Sequence, residues 1–148
     1  MELNDDYFMA QAIAEATCAA REGEIPIGAV IVSGGKIIAR GHNMTEALND
    51  VTAHAEMLAI SAAQSYLGGK YLDGCTLYVT VEPCTMCAGA IGWSRVGRIV
   101  VGCRDEKRGY TSVCRSEAAP LHPRSVISFG VREAECREIM QDFFRGRR

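Results

Sequence analysis

The sequence predicts an α/β fold, with three α/β/α layers around one mixed sheet of about five strands. Three observations carry this. From residue 76 onward, β-branched runs alternate with helical segments, which implies parallel neighbours joined by right-handed crossovers. Earlier, two apolar runs flank Ser33-Gly34-Gly35, the signature of an antiparallel hairpin. Finally, 148 residues that are 48% apolar and 23% charged suffice for one core without staples. A single domain spanning 1–148 is expected.

The first helix is expected over 5–21, where Phe8, Met9, Ala12, Ile13, Ala16, Ala19 and Ala20 recur at helical spacing. Asn4 or Asp5 caps it and Gly23 ends it. Strands follow at 27–32 and 36–40 on either side of the hairpin turn. A loop over 42–52 leads to a helix at 53–66, closed by Gly68-Gly69. Residues 76–81 (TLYVTV) suit a buried strand. Pro83 opens a helix over 84–94, since proline is tolerated in a first helical turn. Residues 98–103 form another strand, 104–124 an irregular polar stretch, 125–129 a short last strand and 131–145 a closing amphipathic helix. No internal repeat or low-complexity linker interrupts this order.

Composition excludes several classes. No apolar run reaches the ~18–20 residues of a membrane helix, and the opening MELNDDYF is acidic, unlike a basic-then-apolar leader. A soluble, cytoplasmic protein without membrane contact is expected. Net charge is −2, but unevenly spread: residues 1–94 carry 4 Lys/Arg against 11 Asp/Glu, and residues 95–148 carry 12 against 7. The basic excess includes Arg104, Lys107, Arg108, Arg115, Arg124, Arg145, Arg147 and Arg148, a patch able to hold phosphates. Arg132 and Arg137 read equally well as a solvated helix face. Seven cysteines, an odd number, disfavour a complete disulfide framework.

The chemistry concentrates in His54-Ala55-Glu56 and Pro83-Cys84-Thr85-Met86-Cys87. Cys-x-x-Cys at a helix start puts two thiols on one face, where the helix terminus favours the thiolate that binds metal. His54 opens the other helix. If both helices begin on one side of the sheet, the three groups converge at the strands' carboxyl ends. Three ligands leave the fourth position of a catalytic zinc open, and Glu56 can then move protons beside it. Alone, Cys-x-x-Cys also fits a redox pair, a structural half-site or two buried cysteines, and His-x-Glu fits an ordinary helix start. A four-sulfur site adding Cys103 and Cys114 fails on spacing, because those two lie eleven residues apart. The five cysteines outside the motif, Cys18, Cys75, Cys103, Cys114 and Cys136, read as packing.

Over almost the full chain these motifs resemble the cytidine deaminase-like superfamily, and within it the branch acting on adenosine in tRNA. The resemblance rests on IPIGAV at 25–30, Asn43, TAHAE at 52–56, TLYVTVEPCTMCAGA at 76–90, SRVGR at 94–98, GCRDEK at 102–107 and DFFR at 142–145. It implies one zinc ion per chain on His54, Cys84 and Cys87, with Glu56 shuttling protons as water adds to C6 of adenine and ammonia leaves. It further implies that Asn43 contacts the nucleoside, Gly28 and Ala29 leave room for the base, and Asp105, Lys107 and Phe144 touch RNA. The implied partners are a tRNA anticodon stem-loop and a second copy of the chain. One stretch departs from the branch: residues 125–129 are shorter than its usual segment after His-Pro-Arg, which favours a deaminase of free bases or nucleosides. The C-terminal basic excess favours RNA. A non-catalytic zinc-and-RNA-binding subunit has no use for Glu56.

Overall fold

A computed structural model describes residues 4–146. The Asn4 side chain accepts the Tyr7 backbone N–H at 3.0 Å and starts α1 (Asp5–Arg21), whose first turn carries Asp5 and Asp6 where the helix dipole favours negative charge. Strands β1 (Gly28–Ser33) and β2 (Lys36–His42) form the expected hairpin, with Gly34 and Gly35 both at positive φ in its turn. Next come α2 (Ala55–Leu67), β3 (Cys75–Val81), α3 (Thr85–Trp93) and β4 (Arg98–Cys103). Inside the stretch expected to be irregular lies a short helix, α4 (Tyr110–Cys114), and then β5 (Val126–Phe129) and α5 (Glu133–Arg145) complete the order.

The sheet runs β2-β1-β3-β4-β5. β1 is antiparallel to both its neighbours, whereas β3, β4 and β5 are mutually parallel, as the alternation after residue 76 predicts. Side chains alternate across the sheet and build a core on each face. Ala29, Ile31, Leu77, Val79, Ile99 and Val101 face α2, α3 and α4 through Ala55, Ala59, Ala88, Ile91 and Tyr110. Val30, Val32, Tyr78 and Val100 face α1 and α5 through Phe8, Met9, Ala12 and Cys136. The three-layer expectation therefore holds. Among the described residues, no helix is long and apolar enough to cross a membrane.

Two departures concern proline and cysteine. Pro83 lies just outside α3, because Cys84 is its N-cap. Cys114 is exposed and Cys18 only half-buried, so packing describes Cys75, Cys103 and Cys136 rather than all five.

One glycine governs how the site is assembled. A Cβ on Gly41 of β2 would stand 2.5 Å from the Ala55 carbonyl oxygen and 3.0 Å from the Ala59 nitrogen. Without it, the first turn of α2 rests directly on β2 and holds His54 over the carboxyl ends of β2 and β3.

Candidate metal centre and active site

His54 and Cys84 are the N-caps of α2 and α3, both in extended backbone conformation, and neither side chain caps its own helix. Their carbonyls accept the first helical N–H bonds, from Leu58 and Ala88, which leaves the side chains free to turn toward each other. Cys87 lies on the first turn of α3, so its thiol shares a face with that of Cys84. His54 Nδ1 stands 3.7 Å from Cys84 Sγ and 3.4 Å from Cys87 Sγ, and the three donor atoms all lie within 4.8 Å of one another. Tetrahedral zinc with ordinary bond lengths requires N–S and S–S separations of about 3.5–3.8 Å, so the donor set fits the ion in both chemistry and spacing.

Electrostatics agree. The Cys84 thiol is held far below its ordinary range by hydrogen bonds from Cys87 and His54. The Cys84 contact in turn raises His54, and Cys87 is pushed up by the same thiolate and by burial. One preformed thiolate among shared protons is a site ready to exchange those protons for a cation.

Glu56 sits in the first turn of α2, only 3% exposed, and is not among the three donors. Burial is the main force on its carboxyl and pushes it up to about 7, aided by the negative charge on Cys84 and opposed by its own backbone N–H. A carboxyl that changes protonation near neutrality suits both accepting and returning a proton.

His54, Cys84 and Glu56 line a cavity of about 870 Å³, together with Asn43, Asp105, Lys107 and Phe144. Four of the sequence-derived substrate residues thus meet at one opening. Asn43 is 6% exposed, and its Oδ1 accepts the Thr45 N–H at 3.0 Å, so it forms a turn and lines the cavity at once. The Asp105 carboxylate accepts the Lys107 and Arg108 N–H groups at 3.1 and 3.0 Å and shapes its own loop. Phe144 is half exposed, packed edge-to-face on Phe143.

Gly28 and Ala29 are not among the lining residues. A Cβ on Gly28 would clash with the Ala12 carbonyl and the Ala16 nitrogen, so this glycine lets α1 approach the sheet. Ala29 is fully buried in the core beneath α2 and α3. The room these small residues provide is for helices.

Much of the basic excess is also engaged within the chain. Arg98 pairs with Asp5, Arg132 with Asp6 and Glu135, Arg137 with Glu133, and Arg145 with Asp142. Arg104 bonds Glu117 at 3.0 Å and lies over the Phe129 ring at 3.8 Å. Lys107 and Arg108 are exposed at the cavity, with no ion pair among the described residues. Arg147 and Arg148 lie outside those residues.

Two buried carboxylates escape sequence reasoning. Glu24, 1% exposed, accepts the Glu46 and Ala47 N–H groups at 3.0 and 2.7 Å. Glu82, 4% exposed, accepts Asp105 N–H, Thr111 N–H and Thr111 Oγ1–H at 3.2, 2.9 and 2.6 Å. Each ties down a loop beside the cavity. The available signal was a glutamate in an apolar context, as where Glu82 follows TLYVTV.

Comparison with known proteins places this geometry. Residues 2–103 match the family described as the cytidine and deoxycytidylate deaminase zinc-binding region. The tRNA-specific adenosine deaminase of Bacillus subtilis (strain 168) is 47% identical over 144 residues, covering 95% of this chain and 89% of the relative. A structure solved in studies of A-to-I editing by tRNA:A34 deaminases superposes with a TM-score of 0.82 at 42% identity, covering 90% of this chain and 98% of the other. The guanine deaminase of Bacillus subtilis gives 0.69 at 33% identity, with 97% and 95% covered. With residues 2–103 matched by that family model and 47% identity to a relative covered over 89% of its length, the chain belongs to the cytidine and deoxycytidylate deaminase family and, within it, to the tRNA-specific adenosine deaminases.

Proposed function

We propose that the chain converts adenosine to inosine at the wobble position of a tRNA anticodon, consuming water and releasing ammonia. The observation that carries this is Glu56, buried against a three-donor zinc set at one end of a cavity that also bears the exposed Lys107 and Arg108. His54 Nδ1, Cys84 Sγ and Cys87 Sγ would hold the zinc, which would supply a Lewis acid that brings the ionisation of water close to neutral pH. The Glu56 carboxylate would accept the proton of the attacking water and return it to the leaving amine, a role that its burial beside the three donors supports. With Asn43 Oδ1 engaged by Thr45, its side-chain NH2 is the group offered to the base. A base in an anticodon loop turns outward at little cost, because no duplex must be opened. Half-exposed Phe144 offers a stacking surface at the rim, and Lys107 and Arg108 offer charge to phosphates.

A second copy of the chain fits the outer surface of α3. Its sequence, TMCAGAIGW, is apolar on nearly every side, yet Trp93 is 86% exposed and Gly89 has open space where a Cβ would lie. We read this face as the surface of a homodimer.

The test measures ammonia release from an anticodon stem-loop bearing adenosine, beside free adenosine, guanine and cytosine. Turnover of the stem-loop is the expected result. Turnover of a free base or nucleoside with none on the stem-loop overturns the reading in favour of a deaminase of free bases or nucleosides, such as cytosine or guanine. Sedimentation of the chain gives twice its 16.0 kDa mass if the α3 face pairs.

A further inference from the structure

We propose that Glu82 is a positioning residue whose buried carboxylate sets the placement of residues 104–109 over the cavity, and with them Lys107 and Arg108 against RNA. This rests on the RNA reading above for its consequence, though not for its geometry.

Glu82 follows the last residue of β3, two positions before Cys84. Its backbone N–H bonds the Cys103 carbonyl at 2.8 Å, which continues the sheet past the end of the strand. The side chain then collects three donors, one from the loop and two from the first turn of α4: Oε1 takes the Asp105 N–H, and Oε2 takes the backbone and hydroxyl of Thr111. These donors bracket the segment bearing Lys107 and Arg108 at both ends. A carboxylate is the suited side chain, because both oxygens only accept, whereas a glutamine would turn an NH2 group toward N–H or O–H donors.

The segment is packed as closely as it is bonded. A Cβ on Gly109 would clash with the Glu82 carboxyl carbon, so glycine lets the backbone pass directly over the carboxylate. Gly109 also bridges to Cys84, and Tyr110 N–H bonds the Pro83 carbonyl at 2.9 Å. Within the loop, Asp105 folds Lys107 and Arg108 into a turn through their own N–H groups. The basic loop therefore has one internal organiser, Asp105, and one external anchor, Glu82. Charged side chains on an untethered loop would spread over many positions and lose phosphate contacts, while the zinc donors and Glu56 on their helix starts would not move. The effect belongs to KM.

The experiment compares Glu82→Gln and the milder Thr111→Val, which removes only the hydroxyl donor, in the zinc-loaded protein. With the anticodon stem-loop as substrate, KM should rise about tenfold for Glu82→Gln and about two- to threefold for Thr111→Val, with kcat within about threefold of the parent. Zinc content should stay at about one per chain. Without RNA, hydrogen exchange at the Asp105 and Thr111 amides should be slow in the parent and fast in Glu82→Gln. Freed amides with an unchanged KM overturn the proposal, as does a loss confined to kcat and zinc content, which would make Glu82 a support for Cys84. Should Glu82→Gln fail to fold, an unchanged KM in Thr111→Val overturns it. A parent inactive on the stem-loop overturns the RNA reading instead, and the exchange arm then judges the anchor alone: amides unprotected in the parent sink it.

Discussion

His54, Cys84, Cys87 and Glu56 stand on the first turns of two helices that the sheet fixes in place, while Lys107, Arg108 and Thr45 stand on loops held down by Glu82 and Glu24. At the metal centre, positional error is limited by helix packing against the sheet, down to the missing Cβ of Gly41 in β2. At the rim it is limited by hydrogen bonds, to Glu24 for one loop and to Glu82, Asp105 and the Pro83 carbonyl for the other. A catalytic centre must hold reacting atoms within tenths of an ångström, and rigid elements do this best. A surface that meets a polyanion tolerates looser placement, because charge acts over several ångströms. On the proposed function, substitutions on the helices should act on kcat and substitutions on the loops on KM.

The largest effects should come from the helix-borne centre, and two substitutions there separate metal binding from proton transfer. Cys87→Ala removes one of three donors, so the protein should emerge without stoichiometric zinc and without measurable turnover. Glu56→Ala should keep about one zinc per chain and still lose about a thousandfold or more in kcat, because only the proton carrier is missing. Metal analysis beside single-turnover kinetics checks both, and loss of zinc from Glu56→Ala would show that Glu56 is itself a ligand. The loop-borne rim should respond more weakly and in another parameter. Lys107→Ala should leave kcat unaltered and lower the slope of log affinity for the stem-loop against log salt by about one phosphate contact. A kcat defect in that variant would break the separation between centre and rim.

The metal centre was legible in the sequence because its information is local. His54 and Cys84 each open a helix, and Cys-x-x-Cys is a spacing within one turn, so three donors and a carboxylate could be assigned from two short motifs. Most elements were legible for the same reason, their periodicities lying within single segments. What was not legible depended on distance along the chain. The antiparallel pairing of β1 with β3 joins Ala29 to Val79 and leaves no local mark. The anchors Glu24 and Glu82 bind donors 22 to 29 residues away. A missing Cβ at Gly28 signals close approach without naming the partner, and the space a Cβ would take is filled by α1. The α4 helix, five residues long, is too short for a periodicity. The engagement of Arg98, Arg132 and Arg145 by acids became visible only once the fold brought them together or set them on one helix face.

The smallest expected effect tests the junction that carries Asn43 into the cavity. His42, the last residue of β2, lies between two carboxylates of α1 and its cap, with Nδ1 3.0 Å from Glu15 and Nε2 3.0 Å from Glu22. Arg40 on the same strand shares Glu15 at 3.7 Å. Burial works against the imidazolium, but the hydrogen bonds to Glu15 and Glu22 outweigh it and raise His42 above its ordinary 6.5. The folded protein therefore holds this proton more tightly than the unfolded chain. The resulting stabilisation is complete below 6.5 and is lost as pH climbs through the raised value. Melting temperature should fall modestly between about pH 5.5 and about pH 8, and added salt should shrink the difference because the pairs are partly solvated. In His42→Gln this component of the pH dependence should vanish while zinc content stays unaltered. An identical pH dependence in the two proteins would place the titrating group elsewhere and leave the α1–β2 junction dependent on apolar packing alone.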